Sequence, residues 1–319
     1  MDKNSKIFVA GHKGLVGSAI INALKAKGYD NLIVKTHAEL DLCDFAQTQA
    51  FFEKEAPEYV FLAAAKVGGI YANNRYRADF IYQNLSIQNN IIYNAYQHQT
   101  KKLLFLGSSC IYPKNAPQPI KESYLLSNEL EYTNEPYAIA KIAGLKMCEA
   151  FNLQYDCNFI AAMPTNLYGE NDNFDLETSH VLPALIAKFH QAKTNSANSV
   201  TLWGTGAPRR EFLHSLDMAE ACVYMMENID FKDLIKESQE VKNTHINIGY
   251  GSDISIKELA LLVQKIVGFE GEIIFDASKP DGTYQKLLDS SKLNQLGWRP
   301  KITLEQGIQK VYEWYLKQK

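Results

Sequence analysis

Tyr137 and Lys141 stand four residues apart in the segment Tyr137-Ala-Ile-Ala-Lys141. On a helix this spacing puts both side chains on one face, one turn apart. An ammonium beside a phenol favours the phenolate, so Lys141 is expected to lower the Tyr137 pKa from about 10. A phenol tuned in this way can pass a proton to or from a carbonyl or hydroxyl oxygen. Ser108, in Gly107-Ser108-Ser109-Cys110, would give the same oxygen a second hydrogen bond. A Tyr-x-x-x-Lys pair alone says little, because solvated helix faces carry such pairs by chance. Its weight here comes from its place after a nucleotide-binding signature and after a strand that ends in serines.

That signature is Gly11-His12-Lys13-Gly14-Leu15-Val16-Gly17, between the strand-like run Lys6–Ala10 and a helical pattern reaching Gly28. Gly11 permits a tight turn, Gly14 lets the backbone approach a pyrophosphate, and Gly17 allows close helix–strand packing. The phosphates would meet the free N–H groups and the dipole of the helix N-terminus. The end of the second strand, Val34-Lys35-Thr36-His37, lacks the acidic residue that usually reads the ribose of NAD. Lys35, Lys13 and His37 would instead neutralise a 2′-phosphate, which favours NADPH. Asp41 could meet the adenine amino group.

These groups need a scaffold. Strands at Leu32–Thr36, Tyr59–Ala63, Leu103–Leu106 and Asn158–Met163 alternate with helices at about Asp44–Glu55, Asn74–His98 and Tyr137–Leu153. Such alternation predicts an α/β fold with a doubly wound parallel sheet. After Pro164 it loosens into a helix near His180–Ala192, a strand Val200–Trp203, a helix from Leu216, a strand His245–Gly249, and helices near Ile256–Val267 and Leu304–Leu316. The expected organisation is a Rossmann-type cofactor domain over 1–168 plus about 214–250. A smaller, interleaved substrate domain would take about 169–213 plus 251–319.

The chain has 319 residues, 46% hydrophobic, with a net charge of -3. That suits a folded globular protein and gives no global attraction to nucleic acid or anionic membrane. The N-terminus has no signal-peptide pattern and the apolar runs are too short to span a bilayer, so a cytoplasmic location is expected. The five cysteines contain no Cys-x-x-Cys, which supports neither a disulfide framework nor a zinc site.

With these pieces in place, the chain resembles the extended short-chain dehydrogenase/reductases that act on nucleotide sugars, and among them the GDP-L-fucose synthase family. The resemblance runs from Ile7 to about Trp298. Its segments are Ala10–Ser18, Leu62-Ala-Ala-Ala-Lys-Val-Gly-Gly-Ile70, Gly107-Ser-Ser-Cys-Ile-Tyr-Pro113, Asn134–Lys141, Met163-Pro-Thr-Asn-Leu-Tyr-Gly169 and Ser179-His-Val-Leu-Pro183. The glycine motif marks only the superfamily; the serine–cysteine segment together with Ser179-His180 is much more specific.

The resemblance implies conversion of GDP-4-keto-6-deoxy-D-mannose to GDP-L-fucose, by inversion at C3 and C5 and then reduction at C4 with NADPH. A ketone at C4 acidifies the protons on both neighbouring carbons, and inversion needs a base on one ring face and an acid on the other. Cys110 and His180 fit, because a thiol (about 8.5) and an imidazole (about 6.5) both exchange protons near neutrality. Ser108 and Tyr137 would bond the enolate oxygen. Tyr137 would later protonate the C4 oxygen, and Lys141 would tune Tyr137 and hold the nicotinamide ribose. Leu106, Gly107, Pro164, Asn166, Leu167 and His180 would complete the cofactor site.

For the GDP moiety the resemblance points to Lys188, Trp203, Arg210 and Asp281, with Lys286 as a further cation. Trp203 would stack on guanine and Arg210 would pair with the diphosphate. There are two departures from the family pattern, Lys188 where arginine is common and the pair Tyr284-Gln285 before Lys286. Both lie on the substrate side and leave open a second reading, a C4-reductase of a related GDP-4-keto-6-deoxy sugar such as a heptose. A dehydratase would want a carboxylate pair where Ser109-Cys110 stand. A silent NADP-binding regulator would have lost one of Ser108, Tyr137 and Lys141. A homodimer through the helices at Asn74–His98 and Tyr137–Leu153 is implied by the resemblance alone.

Overall fold

Short apolar runs flanked by glycine and polar turns fold as strands buried on both faces, and amphipathic stretches between them cover the sheet. The computed structural model describes residues 1–176, 178–235, 240–279 and 281–318. The first half runs β1 (Ile7–Ala10), α1 (Leu15–Ala26), β2 (Leu32–Ile33), α2 (Phe45–Glu55), β3 (Tyr59–Leu62), α3 (Ile70–Arg75), α4 (Arg77–Gln97), β4 (Lys102–Leu106), α5 (Glu135–Tyr155) and β5 (Phe159–Pro164). The second half runs β6 (Asn166–Tyr168), α6 (Val181–Thr194), β7 (Ser199–Trp203), β8 (Arg209–His214), α7 (Ser215–Asn228), α8 (Phe231–Ile235), β9 (Ile246–Ile248), β10 (Asp253–Ser255), α9 (Ile256–Val267), β11 (Glu272–Asp276), β12 (Gln285–Lys286), α10 (Ser291–Gln295) and α11 (Leu304–Lys317).

Six strands form one all-parallel sheet in the order β2-β1-β3-β4-β5-β9. The order reverses at β1, so a crevice opens beyond the carboxyl ends of β1 and β3, the usual ligand position in such sheets. Ile20, Leu24, Met218 and Cys222, from α1 and α7, fill one face of the sheet. Phe52, Ile91, Ile92 and Leu145, from α2, α4 and α5, fill the other. A third cluster, with Leu182, Ile186, Phe189, Leu259 and Val263, joins α6 to α9 away from the sheet.

Beside it stands a small sheet centred on β8. Its first half lies between antiparallel β10 and parallel β12, and its second half pairs with β6. The strand at His245–Gly249 was expected and is found, as Ile246–Ile248, on the edge of the large sheet beside β5.

Two expected elements are shorter. The second strand stops at Ile33 because Glu39 draws the chain into a turn: its carboxylate accepts from the Thr36 N–H at 2.8 Å and the Thr36 hydroxyl at 2.7 Å. The single helix expected over Asn74–His98 breaks at Tyr76 (φ -109°, ψ 42°), which divides α3 from α4. Among the described residues no helix is long and apolar enough to cross a membrane.

Candidate active site

The glycine loop is built as its spacing requires. Gly11 has φ +85°, and a Cβ there would lie 2.7 Å from the Ala64 nitrogen, at the end of β3. A Cβ on Gly17 would lie 2.1 Å from the Gly11 carbonyl oxygen. Only glycine permits both approaches. Gly14 is the N-cap of α1 and brings no side-chain capping bond, so the first-turn N–H groups are left for an anion. This cradle fits a dinucleotide pyrophosphate. Gly107 is as tight: a Cβ would fall 2.1 Å from the Met163 sulfur. Gly11–Gly17, Lys35–His37 with Asp41, Leu106–Ser108, and Pro164 with Asn166 and Leu167 follow four strands of the large sheet at their carboxyl ends.

At the adenosine end, Lys13 is exposed and Lys35 half-buried, and both lower the pKa of Glu39, whose largest stabilisation comes from its bonds to Thr36. Glu39 was not foreseen as a neighbour of these cations. His37 Nδ1 lies 3.7 Å from Asp41, and the same carboxylate accepts from the Cys43 N–H at 2.9 Å.

The reacting centre forms where β4 meets α5. Helix α5 starts with Asn134 as N-cap and a proline in its first turn. The lead-in is ordered by Glu131, which accepts from the Thr133 N–H, the Thr133 hydroxyl and the Asn134 N–H. One turn in, Lys141 Nζ donates to the Leu106 carbonyl at 2.8 Å and lies 5.7 Å from the centre of the Tyr137 ring. Ser108 Oγ and Cys110 Sγ are 2.8 Å apart. Ser108 also accepts from the Cys110 N–H at 3.4 Å, which starts the 3-10 turn Ser109–Ile111.

One expectation is corrected here. Lys141 does not pull the Tyr137 pKa down; burial pushes it far up, the Cys110 thiol adds to the rise, and the Ser108 hydroxyl opposes it. The lysine ammonium is directed to the Leu106 carbonyl, and burial lowers its own pKa to about 8. Tyr137 is therefore held as the neutral phenol, the form that donates a proton.

His180 is the N-cap of α6 and makes no capping bond with its side chain, so the imidazole remains available. Its pKa is lowered by the surrounding protein. The loop before it rests on the start of α3: the Gly69 N–H donates to the Thr178 carbonyl at 3.1 Å. Phe80 meets the Tyr137 ring edge-on at 6.2 Å and closes against Gly68, which links this loop to the reacting centre.

The substrate-side residues fall into two groups. Arg210 and Lys286 face each other in the register of β8 and β12. Lys286 sits at the Cys110 end of the cleft, lining one cavity with Cys110 and Glu131. Burial lowers the pKa of Lys188, Arg210 and Lys286. Trp203 is 71% exposed, with the Lys279 ammonium 5.8 Å from its ring, so a flat face stands open. Asp281 is already engaged: it accepts from the Thr205 N–H at 2.9 Å and the Thr205 hydroxyl at 2.6 Å, closing the loop after Trp203. Asn166 is likewise committed, donating to the Glu211 carbonyl at 2.8 Å.

Two buried arrangements had no sequence signal. The Glu211 carboxylate accepts from the N–H groups of Gly251 (2.7 Å) and Leu288 (3.0 Å), tying the chain after β9 and β12 to β8. Tyr112, two residues past Cys110, bonds His245 Nε2 at 2.8 Å and Asn247 Oδ1 at 2.5 Å, which anchors the cysteine loop to β9.

The chain is 58% identical over 316 residues to GDP-L-fucose synthase 1 of Arabidopsis thaliana, covering 99% of this chain and 94% of that protein. A solved GDP-6-OMe-4-keto-L-xylo-heptose reductase from C. jejuni is 49% identical with a TM-score of 0.95, covering 100% of this chain and 99% of that one. A GDP-D-glycero-L-gluco-heptose synthase from Campylobacter jejuni, solved in the presence of NADPH, is 48% identical with a TM-score of 0.93 and 99% coverage of both chains. The family model of the NAD dependent epimerase/dehydratase family matches residues 7–249, and the chain belongs to that family.

Proposed function

We propose that this chain is an NADPH-dependent 3,5-epimerase and 4-reductase that converts GDP-4-keto-6-deoxy-D-mannose to GDP-L-fucose. The observation that carries the reading is the group at the end of β4. There a reductase pair, Tyr137 and Lys141, shares its site with a thiol held 2.8 Å from Ser108. A plain ketone reductase has no use for that thiol.

Deprotonation at C3 or C5 puts an electron pair into the C4 carbonyl and forms an enolate. Ser108 and Tyr137 donate hydrogen bonds to that oxygen, where the fixed donors need no reorganisation. Cys110 and His180 take and return the carbon-bound protons from opposite faces of the ring. NADPH, when bound, supplies the hydride that reduces C4. Tyr137, held neutral by burial, gives its proton to the C4 oxygen. Lys141 holds the nicotinamide ribose. The glycine loop, with Lys13 and Lys35, holds the phosphates, and Arg210, Lys188 and Trp203 hold GDP.

A C4-reductase acting on a GDP-heptose is the second reading, favoured by the two Campylobacter relatives. NADPH oxidation with the 6-deoxyhexose and with a heptose analogue decides between them. No turnover of GDP-4-keto-6-deoxy-D-mannose at micromolar enzyme would refute the first.

We infer two domains, 1–168 plus about 214–250 and about 169–213 plus 251–319; the large sheet lies within the first, and the apolar cluster that joins α6 to α9 supports the second. The working form we infer is a cytoplasmic homodimer joined through α4 and α5. Tyr82 and Leu153 on these helices are 69% and 56% exposed, which supports the pairing. A monomer in gel filtration overturns it.

A further inference from the structure

Lys286 was expected among the groups that hold the diphosphate, but its position points elsewhere. It shares with Cys110, Glu131 and Asn134 the wall of a cavity of about 40 Å³, room for about one water molecule. Its backbone is fixed on both sides. Lys286 pairs with Arg210 of β8, and the next two residues are clamped. The Leu287 N–H donates to Gln118 at 2.8 Å, the Leu287 carbonyl accepts from Ile120 at 2.8 Å, and the Leu288 N–H donates to Glu211 at 3.0 Å. With the backbone ordered in this way, only the side-chain torsions of Lys286 are left to fix.

We propose that Lys286 is a positioning residue for Cys110: its ammonium, set in the shared cavity, stabilises the thiolate that accepts a proton from the sugar carbon. The inference rests on the reading of Cys110 as a proton-exchanging group. In the step itself the C–H bond breaks and its electron pair enters the enolate. The proton bonds to Sγ, and Lys286 keeps its own protons. Ser108 lies 2.8 Å from the thiol, on the same loop. Tyr137 and Lys141 approach from α5, and Lys286 approaches from β12. Glu131 and Lys114 line the cavity, and Arg210, paired with Lys286 in the strand register, opposes its charge. Cys110 acts electrostatically on Tyr137, Lys141 and Lys286 alike.

The test needs no sugar, so it separates this proposal from the functional reading. In the full chain carrying Cys43→Ser and Cys157→Ser, Cys110 is left as the reactive thiol, because Cys148 and Cys222 are 2% and 0% exposed. The rate of Cys110 alkylation by iodoacetamide is followed by mass spectrometry across pH. Lys286→Met is expected to slow alkylation about tenfold near neutrality. Lys286→Arg, which restores a cation, is expected to recover most of the rate. Lys286→Gln gives the same readout if the methionine variant fails to bind NADPH. An alkylation profile unchanged by loss of the cation, or an equal slowing in the arginine variant, overturns the proposal.

Discussion

Alanine at Gly17 and at Gly14 should fail in different ways, because the two glycines meet different constraints. A Cβ on Gly17 would stand 2.1 Å from the Gly11 oxygen, 2.6 Å from the Gly11 carbon and 2.9 Å from the His12 Cα. All three are backbone atoms, so no rotamer change relieves the clash, and α1 must move off the loop by about 1 Å in an interior packed to crystal density. Overpacking of this kind costs about 1–3 kcal/mol, and the rigid partner puts Gly17→Ala near the upper end. For a chain of this size that lowers Tm by about 3–5 °C. At Gly14 the nearest atom to a new Cβ is the Gly11 oxygen at 3.5 Å, an ordinary contact, and φ is -79°. Gly14→Ala should keep stability within about 1 kcal/mol. Its methyl, however, would intrude on the proposed pyrophosphate site at the helix N-terminus, and NADPH affinity should fall about tenfold or more. Thermal unfolding of the cofactor-free protein and an NADPH fluorescence titration read the two effects separately. A Gly17→Ala protein melting within about 1 °C of the unaltered chain, or a Gly14→Ala protein binding NADPH as tightly, would refute the packing argument.

Three further outcomes are expected. In the proposed reaction Tyr137 gives the C4 oxygen its proton, so in Tyr137→Phe single-turnover NADPH oxidation should fall by about 10²–10⁴; proton exchange at C3 and C5, followed by NMR, should fall less, since Ser108 would still donate. Lys141 has its pKa lowered to about 8, so its charge is complete below that pH and lost above it; NADPH affinity of the free protein should weaken as pH rises through about 8, and a flat profile up to about pH 10 counts against the ribose-holding role. Glu211→Gln puts an amide where two backbone N–H groups donate, loosening β12 at a cost of about 1–3 kcal/mol. Steady-state kinetics should show the sugar KM rising about tenfold with NADPH affinity nearly unchanged.

The large sheet and the cofactor end were legible because local pattern decides them. Gly11, Gly14 and Gly17 are read from their spacing between a strand and a helix, and Tyr137 and Lys141 from helical periodicity. The small sheet was not, because β10 and β12 are three and two residues long. Their pairing depends on long-range bonds such as Leu288 to Glu211, 77 residues apart. The same holds for Tyr112, whose partner His245 lies 133 residues away. The direction of the Tyr137 shift was misread for another reason. Spacing brings Lys141 to the right helix face, but burial and the competing Leu106 carbonyl decide what its charge does. At Asp281, named through the resemblance, and at Asn166, the fold adds partners that the sequence does not reveal, the Thr205 hydroxyl and the Glu211 carbonyl.

The central claim is that one site inverts two carbons and reduces the ketone between them. Reaction of GDP-4-keto-6-deoxy-D-mannose with NADPH in heavy water, with the product analysed by NMR, tests it most directly. The expected product is GDP-L-fucose carrying deuterium at C3 and C5. A reduced product with solvent deuterium at neither carbon would contradict it and leave a C4-reductase in its place.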